Sequence, residues 1–230
     1  MANLDFYNKE IKNIQEQLLV RIGVLVEGLS QLSDAELLQI AKQIDLFEEM
    51  ERLGYGKLLR KTMDTYDNEI AAIFGELTRR ELAQVPAASI DVLRDLRDFE
   101  LTYLTGQAKQ YADQLKTAML RGIITGQTNE QIIANLTLTF GVGTFISSSV
   151  TSFLIGDAFA RFSNTSRAKA FEKFPEVRFQ YVGVSDNKTR EVCQRALQEP
   201  PLTRKEIDAL GYVDFGNRGG YNCRHDWIRV

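Results

Sequence analysis

The 230-residue chain has little histidine, tryptophan and cysteine, with one, one and two residues respectively. Two cysteines are too few for a disulfide scaffold, so we expect reduced thiols and synthesis in the cytoplasm. The formal net charge of -3 argues against a broad basic surface for nucleic acid. Residues 171–230 carry 10 Lys+Arg against 9 Asp+Glu, so this segment is also close to neutral.

Signals for membrane insertion are also lacking. The first ten residues do not have the basic and then apolar layout of a signal peptide. The most apolar stretch, residues 141–160, contains five serines and threonines at 147–152 and an acidic Asp157. That stretch is too polar to predict a membrane span. We therefore expect a soluble protein, or a subunit of a soluble assembly, without a membrane partner.

Prolines are rare and unevenly placed, which predicts a change of structure along the chain. Only Pro86 lies before residue 171, whereas the other three prolines follow it. Proline removes a backbone donor and clashes with the preceding helical turn, so long helices are confined to the first part. Apolar residues recur there at helical spacing, and capping patterns begin at Ser33 and Thr128. Together these signals predict six helices before about residue 171. The third should run from about Leu59 to just before Pro86, and Ser89 should cap the fourth.

The last sixty residues follow a different pattern. Residues 177–184 alternate and are rich in β-forming side chains, which predicts a strand. Short helices are expected at 189–197, capped by Ser185 or Asp186, and from Thr203 onward. A final strand would follow the glycines near 219. The predicted fold class is mainly α with a small α+β C-terminal module: an elongated helical body followed by a compact strand-helix-strand domain.

The rare residue types are concentrated in two short segments. One cysteine, Cys193, is the last residue of segment 181–193. The other cysteine lies in segment 219–230, together with the histidine and the tryptophan. Such a concentration predicts that the two segments meet in space. Residues two apart on a strand share a face, so the last strand should place Cys223, His225 and Trp227 on one side.

Three interpretations of this cluster remain open. Cys193, Cys223 and His225 are candidate zinc ligands, although the Cys-x-x-Cys pairs of structural zinc sites are missing. Alternatively, both cysteines are small buried apolar residues and His225 holds the module together by hydrogen bonds. A third interpretation is a Cys–His nucleophile assisted by Asp186, for which the sequence has no signature. Arg190 or Arg224 is expected to pair with an acidic group of the module.

Residues 181–193, 203–210 and 219–227 together resemble the tailed-phage minor head protein family, the head morphogenesis group typified by the Mu F-type domain. The family pattern is an Asp, a Thr-Arg pair, a Cys, a variable insert and a closing Asn-Cys-Arg-His or Asn-Cys-Arg-Cys. Residues 120–128 and the sixth helix are similar to the helical lead-in of such domains. This chain lacks a His-Pro before its closing Asn-Cys. Its residues that match the pattern or accompany it are Asp186, Thr189, Arg190, Cys193, Gly220, Asn222, Cys223, Arg224, His225 and Trp227.

The resemblance implies a structural, non-enzymatic component of the virion, made in the host cytoplasm and placed in the head interior near the portal. It would assist head assembly, DNA packaging or genome ejection. We predict a helical body at 1–110 that binds the portal or capsid, a helical lead-in at 111–170 and a Mu F-like α+β module at 171–230. The expected partner is the portal protein, with the major capsid or scaffolding protein as further candidates.

Packaged DNA is a weaker candidate partner, because strong non-specific binding needs several Lys or Arg that neutralise phosphates. No cofactor is expected apart from the candidate zinc. Two other classes of function stay open beside the phage assignment. One is a Cys/His-dependent hydrolase or nuclease-like enzyme, and the other is a cellular helical adaptor protein.

Overall fold

The computed structural model describes residues 5–29, 32, 33, 36, 39, 40, 43–140, 149–216, 218–220 and 223–230. It confirms a mainly helical fold with a small α+β module near the C-terminus. None of the described helices combines the length and apolar character needed to cross a membrane. The described elements are α1 (Asp5–Leu29), α2 (Leu46–Arg52), α3 (Tyr55–Gly75), α4 (Arg79–Leu82), α5 (Ala87–Ile124), α6 (Asn129–Phe140), α7 (Ser149–Ala170), β1 (Arg178–Gly183), α8 (Glu191–Ala196), β2 (Leu202–Thr203), α9 (Arg204–Ala209) and β3 (His225–Arg229).

Two of the predicted capping patterns form as expected. The Thr128 hydroxyl accepts from the Gln131 N–H at 3.2 Å, and the Gln131 side chain accepts from the Thr128 N–H at 2.9 Å, so α6 begins at Asn129. Thr203 forms the same reciprocal pair with Glu206 and starts α9. At Ser33, the backbone N–H donates to Glu36 at 2.9 Å, but the helix predicted to follow falls largely outside the described residues.

The prediction of one helix running from about residue 59 to just before Pro86 is wrong beyond Gly75. Thr78 and Glu81 form a capping box, and this pair starts the separate short helix α4. The prediction that Ser89 caps the next helix is also wrong. Helix α5 begins at Ala87, because Pro86 suits a helix start and its carbonyl already accepts the Ser89 N–H at 2.9 Å.

The C-terminal module contains a three-stranded antiparallel sheet in the order β2-β1-β3. The central strand β1 is one residue shorter at each end than predicted. Its register with β3 places Tyr181 opposite Trp227 and Gly183 opposite His225. The short strand β2 was not predicted, because a two-residue strand produces no alternating pattern.

The module packs on α7, the helix that precedes it. The Phe171 ring, just after α7, meets the Phe179 ring of β1 edge to face, with centroids 5.4 Å apart. Within α7 itself, the Asn164 side chain donates to the Gly216 carbonyl at 2.8 Å. A module of sixty residues buries little core of its own, so these contacts supply part of its stability.

Contacts divide the chain into two compact units, each made of segments that are distant in sequence. One unit contains Thr65–Asp98 and Ile155–Val230, and the other contains the described parts of Asn3–Asp64 together with Phe99–Leu154. The first unit therefore holds the whole C-terminal module. The functional division at residues 110 and 170 is a different kind of boundary and stays a prediction.

The second unit is organised around buried tyrosines. The Tyr55 hydroxyl donates to the Leu104 carbonyl at 2.9 Å and lies 3.4 Å from the Tyr7 hydroxyl. Burial raises the pKa of Tyr7 to about 12. The Tyr111 hydroxyl donates to the Phe140 carbonyl at 2.9 Å, which joins α5 to the end of α6. Each buried hydroxyl therefore has a partner, as a stable core requires.

An ion pair between β3 and α4 should make the stability of the first unit depend on pH. Arg229 lies 2.8 Å from the Glu81 carboxylate, and this guanidinium, with the Thr78 N–H, lowers the pKa of Glu81 from 4.5 to about 2. A lowered pKa stabilises the folded state above the unfolded value, and this stabilisation is lost as the pH falls through the folded value. We expect Glu81→Gln to destabilise the chain at pH 6, with the difference shrinking between about pH 4.5 and 2.

Urea unfolding of the wild type and Glu81→Gln across this pH range measures the effect. If the difference between the two proteins is the same at pH 6 and at pH 2, the Arg229 pair does not provide the stabilisation.

Candidate metal centre

Cys193, Cys223 and His225 come together on three neighbouring parts of the module. Cys193 lies in α8, Cys223 in the turn before β3, and His225 is the first residue of β3. The two Sγ atoms are 3.7 Å apart, and Cys223 Sγ is 3.6 Å from His225 Nδ1. All three donor atoms lie within 4.8 Å of one another. The prediction that the two segments meet in space is confirmed, while the binding of a metal stays a prediction.

The pairing of β1 with β3 orients the histidine. The Tyr181 ring stacks on the His225 ring with centroids 5.4 Å apart and also contacts Trp227 at 4.7 Å. His225 and Trp227 therefore share one face of β3, as predicted, whereas Cys223 precedes the strand. Gly183 lies opposite His225, and a Cβ there would come within 2.4 Å of the imidazole. Only glycine leaves room for the ring in this position.

The backbone at Gly219 also lies very close to the two sulfur atoms. A Cβ on Gly219 would lie 2.2 Å from Cys193 Sγ and 3.2 Å from Cys223 Sγ. Arg190 donates to the Gly219 carbonyl at 2.7 Å and so holds this backbone beside α8. Gly220 follows with φ +88, a left-handed conformation that favours glycine. The glycine pair thus allows the loop to pass directly over the two thiols.

The tautomer of His225 follows from its partner on the far side of the ring. His225 Nε2 lies 2.8 Å from the Val184 carbonyl oxygen. A carbonyl can only accept, so Nε2 carries the proton and Nδ1 presents a lone pair towards Cys223. Burial lowers the pKa of His225 although the Val184 contact opposes this change. The imidazole is therefore neutral at pH 7 and suited to bind a metal through Nδ1.

The two thiols have different acidities. Burial raises the pKa of Cys193. Burial would also raise the pKa of Cys223, but donors from the Tyr181 hydroxyl and the His225 and Gly219 backbone outweigh it, so this pKa is lowered. The Tyr181 hydroxyl is 3.2 Å from Cys223 Sγ, and burial raises the pKa of this tyrosine, so it remains a donor. The thiolate is the form of cysteine that binds metals, so the lowered pKa favours Cys223 as a ligand.

The acidic and basic residues of the motif pair with each other. Arg224 contacts Asp186 through two nitrogens at 2.7 and 2.5 Å, which confirms one of the predicted ion pairs. This guanidinium holds the pKa of Asp186 well below its usual range. The prediction that Ser185 or Asp186 caps the next helix is wrong. The N-cap of α8 is Arg190, and Asp186 instead accepts the Lys188 N–H at 2.9 Å in the preceding turn.

Thr189 and Trp227 fix the surroundings of the cluster. The Thr189 hydroxyl donates to the Val184 carbonyl and accepts the Asp186 N–H, both at 2.9 Å. This threonine therefore positions the loop whose carbonyl holds His225. The Trp227 indole is fully buried and donates to the Asp214 carbonyl at 3.2 Å. Asn222, the remaining motif residue, lies outside the described residues.

Sequence reasoning missed Tyr181, Gly183 and Val184, which contact the cluster directly. Their positions in the strand were predicted, but contact with His225 depends on the register between β1 and β3. That register joins residues more than forty positions apart, and no local pattern encodes it.

A cavity of about 350 Å³ opens onto the three candidate ligands. Its remaining lining residues are Lys188, Thr189, Arg190 and Arg224, so basic side chains dominate the wall. Within the described part of the chain, Cys193, Cys223 and His225 form the one group of at least three His, Cys, Asp or Glu residues with this proximity. The group combines two sulfur donors with one imidazole, which is a donor set that suits zinc.

Comparison with protein-family models, with curated proteins and with solved structures finds no match for this chain. A function must therefore be proposed from the sequence motif and the arrangement of its residues.

Proposed function

We propose that the chain is a structural minor head protein of a tailed bacteriophage, located in the head interior near the portal. There it assists head assembly, DNA packaging or genome ejection. The observation that supports this role is that the motif residues bind one another: Asp186 pairs with Arg224, Arg190 holds Gly219, and Thr189 fixes the loop beside His225. Residues used in this way build a scaffold, and the resemblance to the Mu F-type domain rests on the same residues.

The pairing pattern argues against the catalytic interpretation with Asp186. A Cys–His–Asp site needs the carboxylate to orient the imidazole. Here the Asp186 carboxylate is engaged by Arg224, and the imidazole is oriented by the Val184 carbonyl instead. Asp186, the acidic residue proposed from the sequence, therefore stabilises the fold of the module.

The helical body, residues 1–110, offers apolar side chains for a protein partner. Val20 and Val24 lie one turn apart on α1, and each is 70% exposed. Phe99, on α5, is 69% exposed. Exposed side chains of this kind are candidates for an interface core, and the portal protein is the partner we propose for them. The major capsid or scaffolding protein would use the same faces.

The test measures binding of the full-length chain to the purified portal protein encoded in the same genome. We expect the double variant Val20→Glu/Val24→Glu to bind at least about tenfold more weakly, because two charges would enter an apolar contact. Leu138→Glu is the matched control: Leu138 is 77% exposed but lies outside residues 1–110. Equal binding by the wild type and the double variant would contradict the proposed surface.

A Cys/His-dependent hydrolase is the second candidate, favoured by the 3.6 Å separation of Cys223 Sγ and His225 Nδ1 beside an open cavity. His225→Ala separates the two functions. Loss of a hydrolytic activity with the fold intact would support chemistry, whereas loss of the fold supports a structural histidine. Finding the chain in purified phage particles would decide against a cellular adaptor.

A further inference from the structure

We propose that Cys193, Cys223 and His225 bind one Zn²⁺ ion through their Sγ, Sγ and Nδ1 atoms, with water from the adjoining cavity as the fourth ligand. This inference concerns the module alone and does not depend on the phage role proposed above.

The first support is the spacing of the donor atoms. Tetrahedral zinc with Zn–S bonds of about 2.3 Å and a Zn–N bond of about 2.0–2.1 Å requires S···S near 3.8 Å and S···N near 3.6 Å. The Sγ atoms of Cys193 and Cys223 are 3.7 Å apart, and Cys223 Sγ is 3.6 Å from Nδ1. Cys193 Sγ and a ring nitrogen of His225 are within 4.8 Å, so a shift of at most roughly 1 Å completes the tetrahedral arrangement.

The second support is the set of groups behind the ligands. Zinc-binding histidines usually donate their other nitrogen to a carbonyl or carboxylate, which fixes the tautomer. Val184 provides this carbonyl, 2.8 Å from His225 Nε2. The Tyr181 hydroxyl lies 3.2 Å from one sulfur and 3.7 Å from the other, where it can donate to a bound thiolate.

The chemistry of the donors selects the ion. Two thiolates and an imidazole suit zinc, whereas Mg²⁺ and Ca²⁺ require mainly oxygen ligands. Neither cysteine is in a disulfide, so both sulfur atoms are available. Because the described group contributes three donors and opens onto a cavity, the fourth position is accessible to water.

Metal analysis of the full-length chain tests the proposal. The protein is incubated with zinc, freed of weakly held ions by gel filtration, and assayed by mass spectrometry for metal per chain. We expect about one zinc ion per wild-type chain and an at least tenfold loss of affinity in Cys193→Ser, Cys223→Ser and His225→Gln. Lys188→Ala, which alters the same cavity without removing a donor, should keep its zinc.

If a ligand variant fails to fold, replacing zinc with cobalt in the wild-type chain still tests the proposal. Co²⁺ bound by two thiolates in the wild-type chain should give a thiolate-to-metal charge-transfer band and the strong visible bands of tetrahedral cobalt, and zinc should abolish both. Wild-type protein that retains no zinc, or Co²⁺ spectra typical of six oxygen and nitrogen ligands, would overturn the proposal. Zinc retained equally by all three ligand variants would do the same, because the ion would then lie elsewhere on the chain.

Discussion

Replacing Trp227 with alanine is expected to lower the free energy of unfolding by about 3–5 kcal/mol. The indole is completely buried and packs on Tyr181, with ring centroids 4.7 Å apart. Its N–H donates to the Asp214 carbonyl at 3.2 Å. Alanine would leave a cavity beside Tyr181 and remove the hydrogen bond to Asp214, so both effects act in the same direction.

The neighbouring residue provides the control for this change. Ile228 lies on the same strand but is 40% exposed. Ile228→Ala should therefore cost less than about 1.5 kcal/mol, since much of its surface is already in water. Urea unfolding of the three proteins measures both effects. Similar losses in the two variants would mean that the buried face of β3 does not form the core of the module.

Arg167→Met is expected to destabilise the chain by about 2 kcal/mol, less than the ~3–5 kcal/mol found where the remaining charge is buried. Arg167 lies on α7, and its Nη1 is 2.7 Å from both carboxylate oxygens of Glu76, the residue that follows α3. The arginine side chain is 7% exposed and the glutamate 32%, so only one of the two charges is strongly desolvated. Methionine keeps the packing volume but leaves Glu76 without its partner.

A second ion pair of the same helix serves as the control. Lys169 lies 2.8 Å from Glu172, with both side chains more than one-third exposed. Exposed pairs contribute little to stability, so Lys169→Met should have a much smaller effect than Arg167→Met. Thermal unfolding at neutral pH compares the two variants. An equal loss of stability would show that the Arg167 contact does not join α7 to α3 in solution.

Local signals predicted much of the fold, because helices and their caps depend on residues close together in the sequence. The capping patterns at Thr128 and Thr203 placed two helix starts correctly, and the alternation before Val184 placed β1. A Thr-x-x-Glu pattern also occurs at Thr78, where it starts α4 and interrupts the predicted helix. This boundary was available from the sequence.

The candidate site was predictable only in part. Rarity alone singled out Cys193, Cys223 and His225, and their meeting is confirmed. The contacts of Tyr181 and Val184 with His225 were beyond local reasoning, since they arise from the pairing of distant strands. The preference of acidic residues for helix N-caps predicted Asp186 as a cap of α8, but its carboxylate pairs with Arg224 instead. Tertiary contacts therefore overrode a local preference at this position.

The proposed phage role and the proposed zinc ion can fail separately. The role in the head depends on the sequence resemblance and on partners of the helical body. The ion depends on three donor atoms of the module and on the groups that orient them. If the chain binds zinc but never enters a phage particle, the zinc proposal holds and the proposed phage role is wrong.

X-ray absorption at the zinc edge of the zinc-loaded, full-length chain tests most directly whether the two distant segments form one metal-binding module. We predict two sulfur neighbours at about 2.3 Å and two nitrogen or oxygen neighbours at about 2.0–2.1 Å. A shell of nitrogen and oxygen alone would place the ion away from Cys193 and Cys223 and would contradict the proposed zinc site.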